Sequence, residues 1–269
     1  MRKVCIFTGT RAEYGILSRL IRKIADDSEL QLQIVATNMH LSPEFGLTYK
    51  EIESDGFHID KKVEMLLSSD TSNGTVKSMG LATIGFADAL EDLKPDLVVI
   101  LGDRYEMLCA AQACLIYNIP IAHIAGGGIT EGAYDDAIRH CITKMSHLHF
   151  TSTKEHTNRV IQLGEQPNRV FWSGSLGVDN IRNEEILTRE ELEKSINFSL
   201  GSKFLLVTYH PVTMENESAA NQCDALLSAL EEVNSDYQVL FTLPNSDTNG
   251  RVISAKVKDY VTSNPDRAF

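Results

Sequence analysis

No apolar run in this sequence approaches the length of about 20 residues that a bilayer-spanning helix needs, which excludes a transmembrane segment of that kind. The opening residues, Met1 to Gly15, lack the long apolar core and small-residue cleavage site of a signal peptide. They read as a first strand, and a cytoplasmic setting is expected. Positive charge is scarce: 25 lysines and arginines face 37 aspartates and glutamates, for a net charge of −12. Such a chain has no basic footprint for nucleic acid or an anionic membrane. An anionic ligand would have to be held by local arginines, histidines and helix amino termini. The cysteines at 5, 109, 114, 141 and 223 contain no C-x-x-C pair, and four of them stand in apolar company. Buried thiols in a reducing compartment are expected, not disulfides or zinc ligands. Neither G-x-G-x-x-G nor a Walker lysine occurs, which weighs against NAD and ATP.

What is present is a globular pattern. With 269 residues and 43% hydrophobic composition, the chain is long enough for about two domains at roughly 150 residues each. Strand and helix signals alternate from Val4–Phe7 onward, and this β-α-β repetition predicts a doubly wound parallel sheet. A boundary is expected near residue 168, with a Rossmann-like unit over 1–168 and a second, partial one over 169–269. The second half offers only two convincing core strands, Phe204–Tyr209 and Gln238–Leu243.

Pro95 to Met145 is the most informative stretch. Two apolar runs, Leu97–Leu101 and Ile119–Ile124, each stop at a polar, glycine-marked turn. As parallel strands they bring both turns to the carboxyl edge of one sheet, where open α/β sheets bind ligands. Asp103 and Arg104 lie on the first turn; His123, Glu131, Asp135 and Asp136 lie on or near the second. Acids beside an arginine at such an edge suit proton transfer on a polar, anionic small molecule. Each has a plainer reading too. Asp103 could simply cap the next helix, and Asp135 and Asp136 suit a helix amino terminus electrostatically. In the helix over Asp135–Met145, Ile138, Cys141, Ile142 and Met145 form an apolar stripe, which places Asp136 and His140 on the other face.

Three further turns carry candidates. Thr8–Gly15 joins the first strand to the first helix, where small residues, helix amides and Arg11 could approach a phosphate. His40 follows the second strand. In the second half, His210 and Asn245 each follow a strand and are expected on one sheet edge.

Taken in order, TGTRAEYG, NMHLSPEFG, LGDRYE, HIAGG–TEGAYDDAIRH, GSLGV, YHPVT and LPNSD resemble the hydrolysing UDP-N-acetylglucosamine 2-epimerases of sialic-acid synthesis, and the related UDP-N,N′-diacetylbacillosamine 2-epimerases of the legionaminic-acid route. The resemblance covers essentially the whole chain. It implies two Rossmann-like α/β domains in a glycosyltransferase-B-like arrangement, the second one truncated here, and a homodimer or homotetramer. It implies elimination of UDP across C1–C2 to a glycal, then hydration to N-acetylmannosamine, with no metal and no redox cofactor. Asp103 matches the family's catalytic aspartate, Asp135 a second acid, and Glu131 serves as a third. Arg11, Ala12, His40, Arg104, His140, His210 and Asn245 match substrate-binding positions.

Two departures stand out. Where many members read HIEGGE, HIHGGE or HIAGGD, this chain reads HIAGGG, so that Ala125 and Gly128 stand at positions often acidic. The family also continues with a serine-rich nucleotide loop, a ribose-binding glutamate and a closing helix, so weak UDP binding and little turnover are expected of these 269 residues alone. The competing readings are a non-hydrolysing epimerase or glycosyltransferase on the same fold, and a nucleotide-sugar-binding protein that has lost catalysis.

Overall fold

A computed structural model describes residues 1–183, 186–215 and 218–269. They form two compact units. The first comprises Met1–Ser68 and Asn73–Asn183; the second combines Ser69–Ser72 with the chain beyond residue 183.

The first unit alternates strands and helices in chain order: β1 (Arg2–Thr8), α1 (Arg11–Ala25), β2 (Leu30–Thr37), α2 (Tyr49–Ser54), β3 (Lys61–Val63), α3 (Ser72–Leu93), β4 (Leu97–Leu101), α4 (Tyr105–Ile116), β5 (Ile121–Ile124), α5 (Tyr134–Met145), β6 (Leu148–Thr151), α6 (Lys154–Gln162), β7 (Val170–Trp172) and α7 (Leu176–Asn183). The strands form one parallel sheet in the order β3-β2-β1-β4-β5-β6-β7.

Side-chain alternation along β1 divides the core into two layers. Cys5 and Phe7 pack with Phe86 of α3 and with Met107 and Ala110 of α4. Val4 and Ile6 pack on the opposite side with Leu17, Ile21 and Ile24 of α1 and Ile52 of α2. Both faces of the strand are therefore covered, and for that reason its sequence is continuously apolar rather than alternating. Each fully buried side chain of this size contributes about 1.5–3 kcal/mol.

The order of the strands reverses between β1 and β4: β2 and β3 extend one way and β4 to β7 the other. Loops leaving the carboxyl ends of these two neighbours diverge, which opens the crevice where such sheets hold ligands. The residues after β1 and β4 are Gly9–Thr10 and Gly102–Arg104.

The second unit contains α8 (Arg189–Ile196), β8 (Lys203–Thr208), α9 (Ala219–Glu232), β9 (Tyr237–Thr242) and α10 (Gly250–Ser263). Strands β8 and β9 are parallel, with Thr208 opposite Thr242. Leu205, Val207 and Val239 pack with Leu226, Leu230 and Tyr260, whereas Phe204 and Leu206 are exposed.

The α/β class and doubly wound sheet are as expected. The boundary is not. Val170–Trp172 does not open a new domain: it pairs in register with β6 as the edge strand β7, and α7 packs on α1 through Asn180, whose Nδ2 donates to the Gly15 carbonyl at 2.7 Å. The division falls after Asn183 rather than after residue 168.

Candidate active site

The β1–α1 turn is set by a reciprocal cap. Thr10 is the N-cap of α1; its hydroxyl accepts from the Glu13 N–H at 3.2 Å, and Glu13 Oε2 accepts from the N–H groups of Thr10 (3.0 Å) and Gly9 (2.7 Å). Arg11 and Ala12 are exposed on the first helical turn, as a ligand-facing role requires. His40 differs from the expectation. It is fully buried, its Nε2 lies 3.0 Å from Thr8 Oγ1 and its Nδ1 lies 2.8 Å from Thr48 Oγ1. Burial lowers its pKa to about 4, so it is a neutral brace for the end of β1, not a group facing a ligand.

The turn after β4 carries Asp103 and Arg104. Gly102 adopts φ +76°, a left-handed conformation that suits glycine. Its carbonyl lies 2.8 Å from Nε2 of His123 on β5. A carbonyl can only accept, so Nε2 carries the proton and Nδ1, which is 3.2 Å from Thr143 Oγ1, does not. Burial keeps this imidazole neutral, with its pKa lowered to about 4. His123 thereby fixes the residue immediately before Asp103. Arg104 is nearly buried and its Nε donates to Glu106 Oε1 at 2.8 Å.

Helix α5 joins the turn after β5 to this group. Arg139, 7% exposed, donates to the Asp103 carboxylate, to Thr130 Oγ1 at 2.8 Å and to Asp136 Oδ1 at 3.3 Å. Asp136 Oδ1 also accepts from the Thr130 N–H at 2.8 Å, and His140 Nε2 stands 3.8 Å from Asp136 Oδ2. Asp135 is partly buried in the first turn of α5, and Glu131 is exposed beside Thr130. The buried face of α5 is Ile138, Arg139, Ile142 and Thr143. Cys141 is exposed and does not belong to the apolar stripe expected for this helix.

The triple glycine contains one demanding position. Gly127 has φ +83°, and a Cβ there would stand 2.4 Å from the His156 carbonyl oxygen. At Gly128 the nearest atom to a built Cβ is Arg139 Nη1, at 3.6 Å, so a side chain has room and a cationic neighbour. Ala125 holds φ +66°, a conformation rarely taken by residues with a Cβ.

Beside these turns, at the ends of β2 and β3, a cavity of about 370 Å³ is lined by Asn38, Ser42, Glu44, Glu64 and Ser68. Asn38 Nδ2 donates to the Tyr105 hydroxyl at 3.3 Å, which links that cavity to the turn carrying Arg104.

In the second unit, His210 is exposed two residues past β8, and Asn245 is partly buried past β9, where its Oδ1 accepts from the Asp247 N–H at 3.1 Å. Both follow the carboxyl ends of paired parallel strands, on one edge of that sheet.

Thus the structure assembles Asp103 and His140 around Arg139 and Asp136, with Arg104 beside Asp103 in the chain and Glu131 and Asp135 flanking. Sequence reasoning missed Glu13 and Glu106 as buried acids and Arg139 as the hub. The T-x-x-E spacing of Thr10 and Glu13 was a readable capping signal. Nothing in the spacing of Arg104 and Glu106 announces burial of the latter.

A carboxylate oriented by a guanidinium, more acids close by and exposed Arg11 at a switch point suit acid–base chemistry on an anionic substrate. Comparison with known proteins agrees. A family model described as UDP-N-acetylglucosamine 2-epimerase matches residues 22–265. The chain belongs to the UDP-N-acetylglucosamine 2-epimerase family. Among curated relatives of this 2-epimerase, the GDP/UDP-N,N′-diacetylbacillosamine 2-epimerase (hydrolyzing) of Campylobacter jejuni is 47% identical over 267 residues, covering 99% of this chain and 69% of the relative. The UDP-N,N′-diacetylbacillosamine 2-epimerase (hydrolyzing) of Legionella pneumophila is 35% identical, covering 97% of this chain and 68% of that one. The 2-epimerase chain thus spans about two thirds of the length of these relatives. The fold is shared with the Methanocaldococcus jannaschii UDP-GlcNAc 2-epimerase solved with UDP-GlcNAc and UDP: TM-score 0.78, 20% identity, covering 99% of this chain and 73% of the other. Among the described residues, no helix is long and apolar enough to cross a membrane.

Proposed function

We propose that this 2-epimerase is a hydrolysing one whose preferred substrate is UDP-N,N′-diacetylbacillosamine, with UDP-N-acetylglucosamine the weaker alternative. The observation that carries this reading is the 47% identity, over nearly the whole chain, to a relative named for the GDP- or UDP-linked form of that sugar. A 35% identical relative named for the same sugar supports it.

In the proposed reaction a base removes the C2 proton and the UDP oxygen leaves C1, giving a glycal. Water then adds: its oxygen bonds to C1 and a proton returns to C2 on the opposite face. The products are free UDP and a free 2-epimeric sugar. Asp103 and Asp135 act as the proton-transfer pair, with Glu131 the third carboxyl. Asp103 suits the task because Arg139 orients its carboxylate. Arg11, Ala12, Arg104, His140, His210 and Asn245 contact the substrate. Arg11 and Arg104 provide the positive charge that a departing diphosphate needs. The active form is a homodimer or homotetramer.

Product analysis tests the proposal. The full-length protein is incubated with each UDP-sugar in D2O. Free UDP together with a free 2-epimeric sugar carrying deuterium at C2 supports it. A UDP-linked 2-epimer overturns the hydrolytic reading, and faster turnover of UDP-N-acetylglucosamine overturns the substrate preference.

A further inference from the structure

Two carboxyl groups with no part in that reaction meet at Gly9. Glu13, on the first turn of α1, accepts from the N–H groups of Gly9 and Thr10 through Oε2 alone. Glu106, on the first turn of α4, reaches the same glycine from the other side: a Cβ on Gly9 would lie 2.4 Å from Glu106 Oε1 and 3.0 Å from its Cγ. Both side chains are buried, at 8% and 0% exposure. Glu106 Oε1 accepts from Arg104 Nε. The two remaining oxygens, Glu13 Oε1 and Glu106 Oε2, are buried without a hydrogen-bond partner among the described residues.

Two carboxylates against one guanidinium leave a surplus negative charge in a site that water does not reach. Among the described residues, the other titratable groups packed around the pair do not cancel it. His40, which braces Thr8 from the turn after β2, is neutral. Tyr14 on α1 gives its hydroxyl to Asp55, and Asp103 faces Arg139. One proton held by the pair removes the surplus.

We propose that Glu13 and Glu106 hold a single proton between them, and that the pair so formed positions the Gly9–Thr10 loop and the Arg104 guanidinium. With the proton the pair carries one negative charge, balanced by Arg104. Without it the two acids repel across Gly9 and draw Arg104 more tightly inward. The direction of titration agrees: burial and then the neighbouring Glu106 raise Glu13 to about 8, against the opposing pull of Arg104. The sharing needs no ligand. Its consequence, that deprotonation weakens diphosphate binding at Arg104 and the start of α1, rests on the proposed UDP-sugar function.

The test is carbon-13 NMR of the protein labelled at the glutamate carboxyl, with amide and guanidinium spectra recorded alongside. The expected result is one glutamate signal still protonated at pH 7, titrating near 8, with the Gly9 and Thr10 amides and the Arg104 Nε–H following the same midpoint. Glu106→Gln supplies a permanent donor and should lower the Glu13 midpoint by at least two pH units. Glu13→Gln should abolish the transition near 8 altogether and serves where the first variant fails to fold. The proposal is overturned if all glutamates in the parent titrate below pH 6, or if neither variant alters that transition. Amide and Arg104 signals that ignore the transition overturn the positioning role. Calorimetry with UDP between pH 7 and 9.5 then reads the link to function: a fall of tenfold or more in the parent, absent in Glu106→Gln, is expected. A pH-independent affinity breaks that link while the shared proton stands. Failure to bind UDP at all counts against the proposed function alone.

Discussion

Arg139, buried on α5, donates to the Asp103 carboxylate on the turn after β4. One ion pair therefore joins the turn after β4 to the helix that follows β5, and the same guanidinium holds Thr130 and Asp136. Such a fork cannot be replaced by a point charge, because a lysine offers neither the planar geometry nor the number of donors. Arg139→Lys should keep the fold, with a melting temperature within a few degrees of the parent, yet lower kcat by about tenfold to 100-fold as Asp103 loses its orientation. Steady-state UDP release and a thermal melt, measured together, check this. A parental kcat would remove Arg139 from the account.

The adjacent glycines separate a backbone requirement from a chemical one. Gly127→Ala would drive a Cβ into the His156 carbonyl at a positive φ, so a loss of about 1–3 kcal/mol or more is expected. Gly128→Asp meets no such obstacle, and its carboxylate would lie beside Arg139. It should stay within about 1 kcal/mol of the parent. Urea unfolding followed at Trp172, the single tryptophan and a residue of β7, compares the two variants within the first unit.

Buried imidazoles contribute to the acid limit of stability. His40 and His123 are both held neutral by burial, with pKa values lowered from 6.5 to about 4. The unfolded chain binds the protons that the folded chain refuses, so stability is present above pH 6.5 and falls as pH drops towards 4. At about 1.4 kcal/mol per pKa unit, each contributes roughly 3 kcal/mol to that slope. Unfolding free energies between pH 7 and 4.5 should show the decline, and His123→Gln should make it clearly shallower. An unchanged slope in that variant would contradict the neutral buried ring.

The fold was legible where burial makes the sequence simple. Leu97–Leu101 and Val4–Phe7 are apolar throughout because both faces of β4 and β1 are covered, and the strand ends followed from the glycines. Lys61–Val63 gave no such signal, since β3 is a short edge strand with two lysines. The edge strand β7 exposes Phe171 and Trp172, and α7 buries no residue fully, so neither looked like part of the first core. That is how the boundary moved. In the site, Asp103 and Arg104 were readable because they end a strand. Arg139 was not, because a charged residue at the buried edge of an amphipathic helix looks solvent-facing until its partners on other elements are known. Glu13 and Glu106 were hidden for the same reason.

Thiol reactivity checks the orientation of α5, on which the apolar pattern placed Ile138, Ile142 and Met145 correctly and Cys141 wrongly. Cys5, Cys109, Cys114 and Cys223 are buried and Cys141 is exposed. One thiol should react quickly with an aromatic disulfide reagent in the folded protein, and Cys141→Ser should abolish that phase. The other four should react only on unfolding. A fast phase that survives in Cys141→Ser would mean that α5 is rotated from the orientation described.

The central claim is that Asp103 performs proton transfer at the sugar. Its most direct measurement is UDP release by Asp103→Asn in the full-length protein, with binding and melting recorded on the same sample. The carboxamide keeps the shape and can still accept from Arg139, but it cannot take up a proton from carbon. The account predicts a loss of about 100-fold to 10,000-fold in kcat with UDP affinity and folding nearly intact. Release of UDP at the parental rate would contradict it.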